Sequence, residues 1–196
     1  MRIFLLARHG QSLFNIDGVV NGNPALDRGL SMGGRENAEA MRAQIAAFDI
    51  DLAVTSEFPR AQETAAIALG DRDVPRLVLA DLDDVRIGEL EGKLLSDYRA
   101  WKRVHGRSDR FPGGESLVEA AVRYARAYRA ILARPEQSIL VLCHEIPVRY
   151  AVNAAAGSSH LDGPTHDIPN AVPFLFGEQQ LETSAERIDQ LAAVEA

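Results

Sequence analysis

Cysteine is nearly absent: Cys143 is the single thiol in 196 residues. No internal disulfide can form, and a reducing compartment suits the chain. Long apolar runs are missing too. The N-terminal run, Ile3 to Ala7, is too short for a signal peptide or a membrane span, and no later stretch is long enough. A cytoplasmic protein without membrane contact is expected. Positive charge is in deficit, with 21 Lys and Arg against 28 Asp and Glu, a net charge of −7. That balance argues against nucleic acid as a partner. It leaves room for a small anion, because a few arginines can line a positive pocket in an acidic protein. No internal repeat and no Gly-, Pro- or Ser-rich linker divides the chain, so residues 1–196 are expected to form one domain.

What is present is an alternation of short apolar runs and helical patterns. Ile3 to Ala7, Leu52 to Thr55, Arg76 to Ala80 and Ile139 to Cys143 read as buried strands. Val172 to Phe176 reads as an edge strand because of Pro173. Gly34, Ala38, Met41, Ile45 and Phe48 form one apolar helical stripe. Leu117, Ala121, Tyr124, Tyr128 and Ile131 form another, opened by the capping-box pair Ser116 and Glu119. Pro59 suits the first turn of a helix running to about Leu69. This order predicts an α/β fold, a three-layer α/β/α sandwich around a mostly parallel central sheet. The charged, Gly-rich stretch at about 86–115 reads as an excursion of loops and short helices, a candidate lid. Residues from Ser184 onward read as a polar helix or a frayed tail.

Unusual polar groups follow the carboxyl ends of these strands: Arg8-His9-Gly10 after the first, Ser56 and Arg60 after the second, His144 after Cys143. Ligand sites in open α/β sheets lie beyond those ends. The topology therefore converges two arginines and two histidines. Guanidinium groups match phosphoryl oxygens bidentately and stay charged. A neutral imidazole is a competent nucleophile. A helix starting after His144 would add backbone N–H donors. No metal or other cofactor is required if arginines and imidazolium carry the charge.

At these residues the chain resembles the histidine phosphatase superfamily, which includes the cofactor-dependent phosphoglycerate mutases. LARHGQSLFN resembles its signature, LSMGGRENA its first helix and TSEFPRAQETA its second arginine motif. DDVRIGELEG resembles its acidic loop, PGGES the segment before a later helix and VLCHEIPVR its second histidine motif. These motifs run in order from about Met1 to Gly157. The resemblance implies a phosphoglycerate mutase-like fold with His9 as the phosphorylated nucleophile. Arg8, Arg60 and His144 would hold the phosphoryl oxygens, and Asn15 would help bind the phosphate. Asp84 falls where the family usually has a glutamate as general acid, with Asp83, Glu89 and Glu91 as rival acids. Asp84 is one methylene shorter than that glutamate, although some branches use aspartate. Glu145 stands where many members have glycine. Its carboxylate would repel anions unless paired or turned away, and would bias the site toward neutral or cationic substrate bodies.

Cys143 and Arg149 have the Cys-x5-Arg spacing of cysteine-based phosphatases. Pro147 removes a donor that such a loop needs, and alternation along the strand turns Cys143 away from the face that His144 would use. Cys143 is expected in the core. Tyr98 and Trp101 are read as packing in the excursion, where either could also wall the substrate pocket, and His105, His160 and His166 as surface or loop residues. The function expected is hydrolysis of a small phosphomonoester through phosphohistidine. The alternatives are mutase-type transfer and a family member that binds a phosphorylated ligand without turnover. A homodimer through the edge strand is compatible with the sequence.

Overall fold

The computed structural model describes residues 2–195. Five strands form one sheet: β1 (Ile3–Arg8), β2 (Leu52–Thr55), β3 (Arg76–Val78), β4 (Ser138–Cys143) and β5 (Phe174–Gly177), in the order β3-β2-β4-β1-β5. All pairings are parallel except β1 with β5. The central strands β1, β2 and β4 are apolar runs because both of their faces are covered, whereas the edge strands β3 and β5 are partly exposed. On one face Leu5, Ala7, Ala53, Leu140 and Leu142 pack with α2 (Met32–Gln44) and α3 (Pro59–Leu69). On the other, Phe4, Leu6, Val54, Ile139, Val141 and Cys143 pack with α5 (Leu117–Leu132), α6 (Glu145–Ala155) and α7 (Glu178–Glu195). The short α1 (Leu13–Asp17) and α4 (Leu95–Val104) lie outside these layers, with 3-10 turns at Pro24–Leu26, Ala80–Leu82 and Gly88–Leu90. Among the described residues no helix is long and apolar enough to cross a membrane.

Start signals act where the residues place them. Pro59 opens α3, and the Ser116–Glu119 capping box opens α5. Three expectations need correction. The strand expected to reach Ala80 stops at Val78, because Ala80 enters a 3-10 turn. The stripe expected to reach Phe48 leaves the helix after Gln44. The largest change is at the C-terminus. Of the two readings for residues from Ser184, the helix holds and the frayed tail does not, but the helix is packed rather than polar all round: they are the C-terminal part of α7, which buries Leu181, Ser184, Ala185, Ile188, Leu191 and Ala192 against α5 and α6. Its face is made partly of Ala and Ser, which pack closely between helices yet score as weakly hydrophobic in a sequence.

Register sets up the site. Arg8 pairs with Cys143, so His9 and His144 are the first residues beyond adjacent strand ends. The His9 backbone N–H donates to Cys143 O at 2.9 Å, and Ser56 N–H donates to Leu142 O at 3.2 Å. The loop after His9 lies hard against α2: a Cβ at Gly34 would sit 1.9 Å from Gln11 O, a contact only glycine permits.

Candidate active site

The carboxyl ends of β1, β2 and β4 open into a cavity of about 570 Å³. His9 and Arg60 line its floor and are almost fully buried, and His144 lies fully buried directly beneath them. The two imidazole centroids lie 5.2 Å apart. Arg60 holds the group together. It reaches over the Phe58 ring at 4.2 Å, and its Nε donates to His9 Nε2 at 3.0 Å. Its Nη1 donates to Asn21 Oδ1 at 2.6 Å and to Asp27 Oδ1 at 3.1 Å. Its Nη2 lies 3.3 Å from His144 Nδ1 and 3.4 Å from Asp84 Oδ2. Thr64, one turn along α3, accepts from Gly10 N–H and donates to Arg60 O, which ties the two motifs.

These partners assign the tautomers. His9 Nδ1 is 2.6 Å from Gly10 O, an acceptor, so Nδ1 carries the proton. Nε2 then presents its lone pair to Arg60. Burial is the main reason that the His9 pKa falls well below its ordinary 6.5, and the charges of Arg60 and Arg8 lower it further. His144 is likewise kept neutral by burial and by Arg60. Its Nε2 bonds Ser56 Oγ at 2.9 Å, which leaves Nδ1 toward Arg60 and Asp84.

Asp84 lines the cavity with Oδ2 3.5 Å from His144 Nδ1. Removal from water raises its pKa, and the Arg60 charge does not cancel that effect. Arg123 of α5 fixes the loop from beneath by donating to the carbonyls of Asp81, Asp83 and Asp84. The rival acids are engaged elsewhere or remote. Asp83 is buried, accepts Glu57 N–H at 2.8 Å and is pushed by burial to about 6. Glu91 accepts from Asn21 and Gly22, and Glu89 is exposed. Cys143 points into the core opposite this face, and its thiol is pushed by burial to about 12. Among the described residues there is no group of three or more His, Cys, Asp or Glu side chains arranged to hold a metal ion.

Asn15 lines the cavity, but its Oδ1 accepts from Ser12 N–H in a capping box that opens α1. Arg8 also lines the cavity, with Nη1 3.0 Å from both Ile168 O and Glu145 Oε2. Glu145 is therefore paired, and its second oxygen meets Arg149 Nη1 at 3.1 Å.

Several contributors escaped the sequence reading. Asn21 and Asp27 come from loops without a periodic pattern. Asp27 is fully buried against Arg60, and no local signal marks it. Arg99, Lys102 and Arg103 on α4 line the outer cavity, with spacings of three and four that could have placed them on one helical face. No carboxylate lies within ion-pair distance of these three among the described residues. Tyr98 and Trp101 pack in the excursion as expected, stacked near Phe111, and Tyr98 also walls the cavity, the second role that the sequence allowed it. His166 lines it as well, although it reads from the sequence as an ordinary loop residue.

Comparisons with known proteins agree with this frame. The model of the histidine phosphatase superfamily (branch 1) matches residues 4–174. The chain is 32% identical over 193 residues to a 2,3-bisphosphoglycerate-dependent phosphoglycerate mutase of Methylobacterium radiotolerans, covering 89% of each chain. It is 34% identical over 155 residues to the adenosylcobalamin/alpha-ribazole phosphatase of Escherichia coli, covering 74% of each. The fold matches the Bacillus stearothermophilus protein YhfR with a TM-score of 0.78 at 23% identity, over 89% of this chain and 90% of that one.

Proposed function

The chain belongs to the histidine phosphatase superfamily, and from that premise we propose that it hydrolyses a small phosphomonoester through a phosphoryl group carried on His9, without a metal ion. One observation carries this reading: a buried, neutral imidazole whose Nε2 lone pair faces Arg60 on the floor of an open cavity.

Nε2 attacks phosphorus as the ester P–O bond breaks. The Arg60 N–H that now touches Nε2 moves to a phosphoryl oxygen, joined by Arg8. Donors fixed before the charge develops need no reorganisation during the step. Asp84, whose pKa burial raises, gives its proton to the departing alkoxide. Its carboxylate then takes a proton from water as the water oxygen bonds to phosphorus and the P–N bond breaks. Inorganic phosphate leaves, and His9 and Asp84 return to their starting states. Asn15 supports an outer phosphoryl oxygen from the cavity wall.

Hydrolysis is favoured over transfer because the cavity is open at about 570 Å³, and water occupies only about 30 Å³ per molecule in the liquid. A mutase must keep water from its phosphoenzyme. The substrate body is anionic. With Glu145 paired, Arg99, Lys102 and Arg103 face the substrate against the one exposed carboxylate of Asp167, a positive balance that reverses the neutral or cationic preference that the sequence suggests. The excursion at 86–115 would act as the lid, with α4 as its moving part.

The full chain should hydrolyse an aryl phosphate in the presence of EDTA. Acid-labile phosphate should be trapped on His9. Strict dependence on a divalent cation would overturn the metal-free reading. A phosphoenzyme that forms but does not turn over would leave a binding protein. A second reading, mutase-type transfer, is favoured by the mutase relatives at about a third identity. Exchange between phosphoglycerates that needs a bisphosphate primer would establish it.

A further inference from the structure

The arginines at the cavity floor meet carboxylates before any substrate arrives. Arg60 has buried Asp27 at 3.1 Å and Asp84 at 3.4 Å. Arg8 has Glu145 at 3.0 Å. Glu145 is the first residue of α6 and half-buried, and it bridges two cations, Arg8 and Arg149. Asp162 takes the other side of Arg149 at 2.8 Å and also pairs with Arg107. Charges thus alternate from the cavity outward: Arg8, Glu145, Arg149, Asp162, Arg107.

The geometry at Arg8 is specific. Its Nη1 is committed to Glu145 Oε2 and Ile168 O. Its Nε is buried and has no hydrogen-bond partner. A guanidinium has five N–H donors in a rigid fork, and two neighbouring ones can grip a phosphoryl group together. Anchoring Nη1 fixes the plane in which Arg8 meets the cavity it lines. The same anchor places a negative charge one guanidinium away from any anion that Arg8 binds there.

We propose that Glu145 is a positioning residue for Arg8 that also holds down the affinity of the site for inorganic phosphate, so that product leaves. Two anions then share Arg8. The carboxylate keeps the guanidinium oriented and partly neutralises it, so the free product gains less from Arg8 than it would from an unpaired arginine. Weak binding of the ground state and product leaves more of the interaction for the transition state.

The inference rests on the floor being a phosphoryl site, and the test separates the two. Inorganic phosphate is titrated calorimetrically into the full-length wild type, Glu145→Gln, Glu145→Ala and Glu145→Asp. The two neutral variants should bind phosphate about five- to tenfold more tightly, the effect of removing one charge at a partly screened separation. Glu145→Asp keeps the charge and should stay within about twofold of wild type. The Ki for phosphate in aryl phosphate hydrolysis should move in parallel. Two neutral substitutions at a half-exposed first-turn position protect the result against one failing to fold. Unchanged or weaker phosphate binding in Gln and Ala would overturn the inference. So would an Asp variant as tight as Gln, because that would trace the effect to lost geometry rather than charge. Absence of phosphate binding in all four proteins would overturn the phosphoryl site itself, and this inference with it.

Discussion

At the cavity floor, His9, Arg60 and His144 are 2, 3 and 0% exposed, and every ring or guanidinium nitrogen described there has a partner. At the outer wall, Arg99, Lys102 and Arg103 stand on α4, a helix with no buried residue. Both regions are cationic, but they are built differently. The floor charges sit on strand ends and on α3, tied to a sheet packed on both faces. The wall charges sit on an excursion closed at its neck by Glu115, whose backbone N–H donates to Arg86 O and whose carboxylate accepts from Arg86 N–H. Bond making needs donors held still. Recognition of a variable substrate body needs reach and tolerance, which an exposed helix supplies. The comparison therefore predicts that floor substitutions change kcat and wall substitutions change KM.

The largest effect is expected at His9. His9→Ala should lower kcat roughly a thousandfold or more, because its Nε2 is the imidazole lone pair held against Arg60, while His166 stands on an exposed loop at the cavity wall. Single-turnover assays with trapped phosphoenzyme check this, and residual covalent phosphate in the variant would break the contrast at its centre. Next is Asp84. Asp84→Asn should cost about 10²- to 10⁴-fold in kcat for an alkyl ester, the usual value of a positioned proton donor. An aryl ester, with its better leaving group, should suffer less.

The pH profile sharpens the same point. His9 is depressed well below 6.5, so its lone pair stays available as pH falls through that value. Asp84 is raised, and the first step needs it protonated, so kcat should fall as pH rises past its shifted value. That alkaline fall should vanish in Asp84→Asn. Stability runs in its own direction. The unfolded chain takes up protons near 6.5 on residues 9 and 144 that the folded chain refuses, so the contribution of these burials is fully present above about 6.5 and declines below it. Thermal melts across pH 5 to 8 check the sign.

The wall should respond in the other parameter. Replacing Arg99, Lys102 and Arg103 together by Gln should raise KM for an ester with a second anionic group by about tenfold, with kcat within about twofold. The KM effect should shrink with added salt, because exposed charges are screened. A fall in kcat instead would show the wall to be part of the rigid machinery.

How much of each region could be read from residues alone follows the same division. The floor was legible because strand ends converge wherever the sheet is parallel, and because Arg8-His9-Gly10, Arg60 and His144 sit at those ends. Asp27 and Asn21 were not legible. Their positions depend on how loops after α1 fold onto Arg60, and nothing periodic marks them. Arg123 was hidden for the opposite reason: on an amphipathic helix it reads as the solvent face, yet it turns inward to three carbonyls of the acidic loop. Glu145 was visible as an odd residue, but its sign of effect was not, because pairing with Arg8 and Arg149 is a tertiary fact. α7 was misjudged because Ala and Ser count little in hydropathy and much in close helix packing.

The smallest catalytic effect is expected directly behind the floor. Cys143 ends β4 one residue before His144, yet pleating sends its side chain to the α5–α7 face. Its pKa of about 12 leaves almost no thiolate near neutrality, and Arg149, six residues on, is spent on Glu145 and Asp162. Cys143→Ser should leave kcat and KM within about twofold, while a hydroxyl placed among apolar side chains costs about 1–3 kcal/mol of stability. Steady-state kinetics and a denaturant melt on one preparation separate the two effects. A stable Ser variant without activity would move the nucleophile from imidazole to thiol. It would also mean that the two sides of one strand exchange places in the working enzyme, which a sheet buried on both faces does not permit.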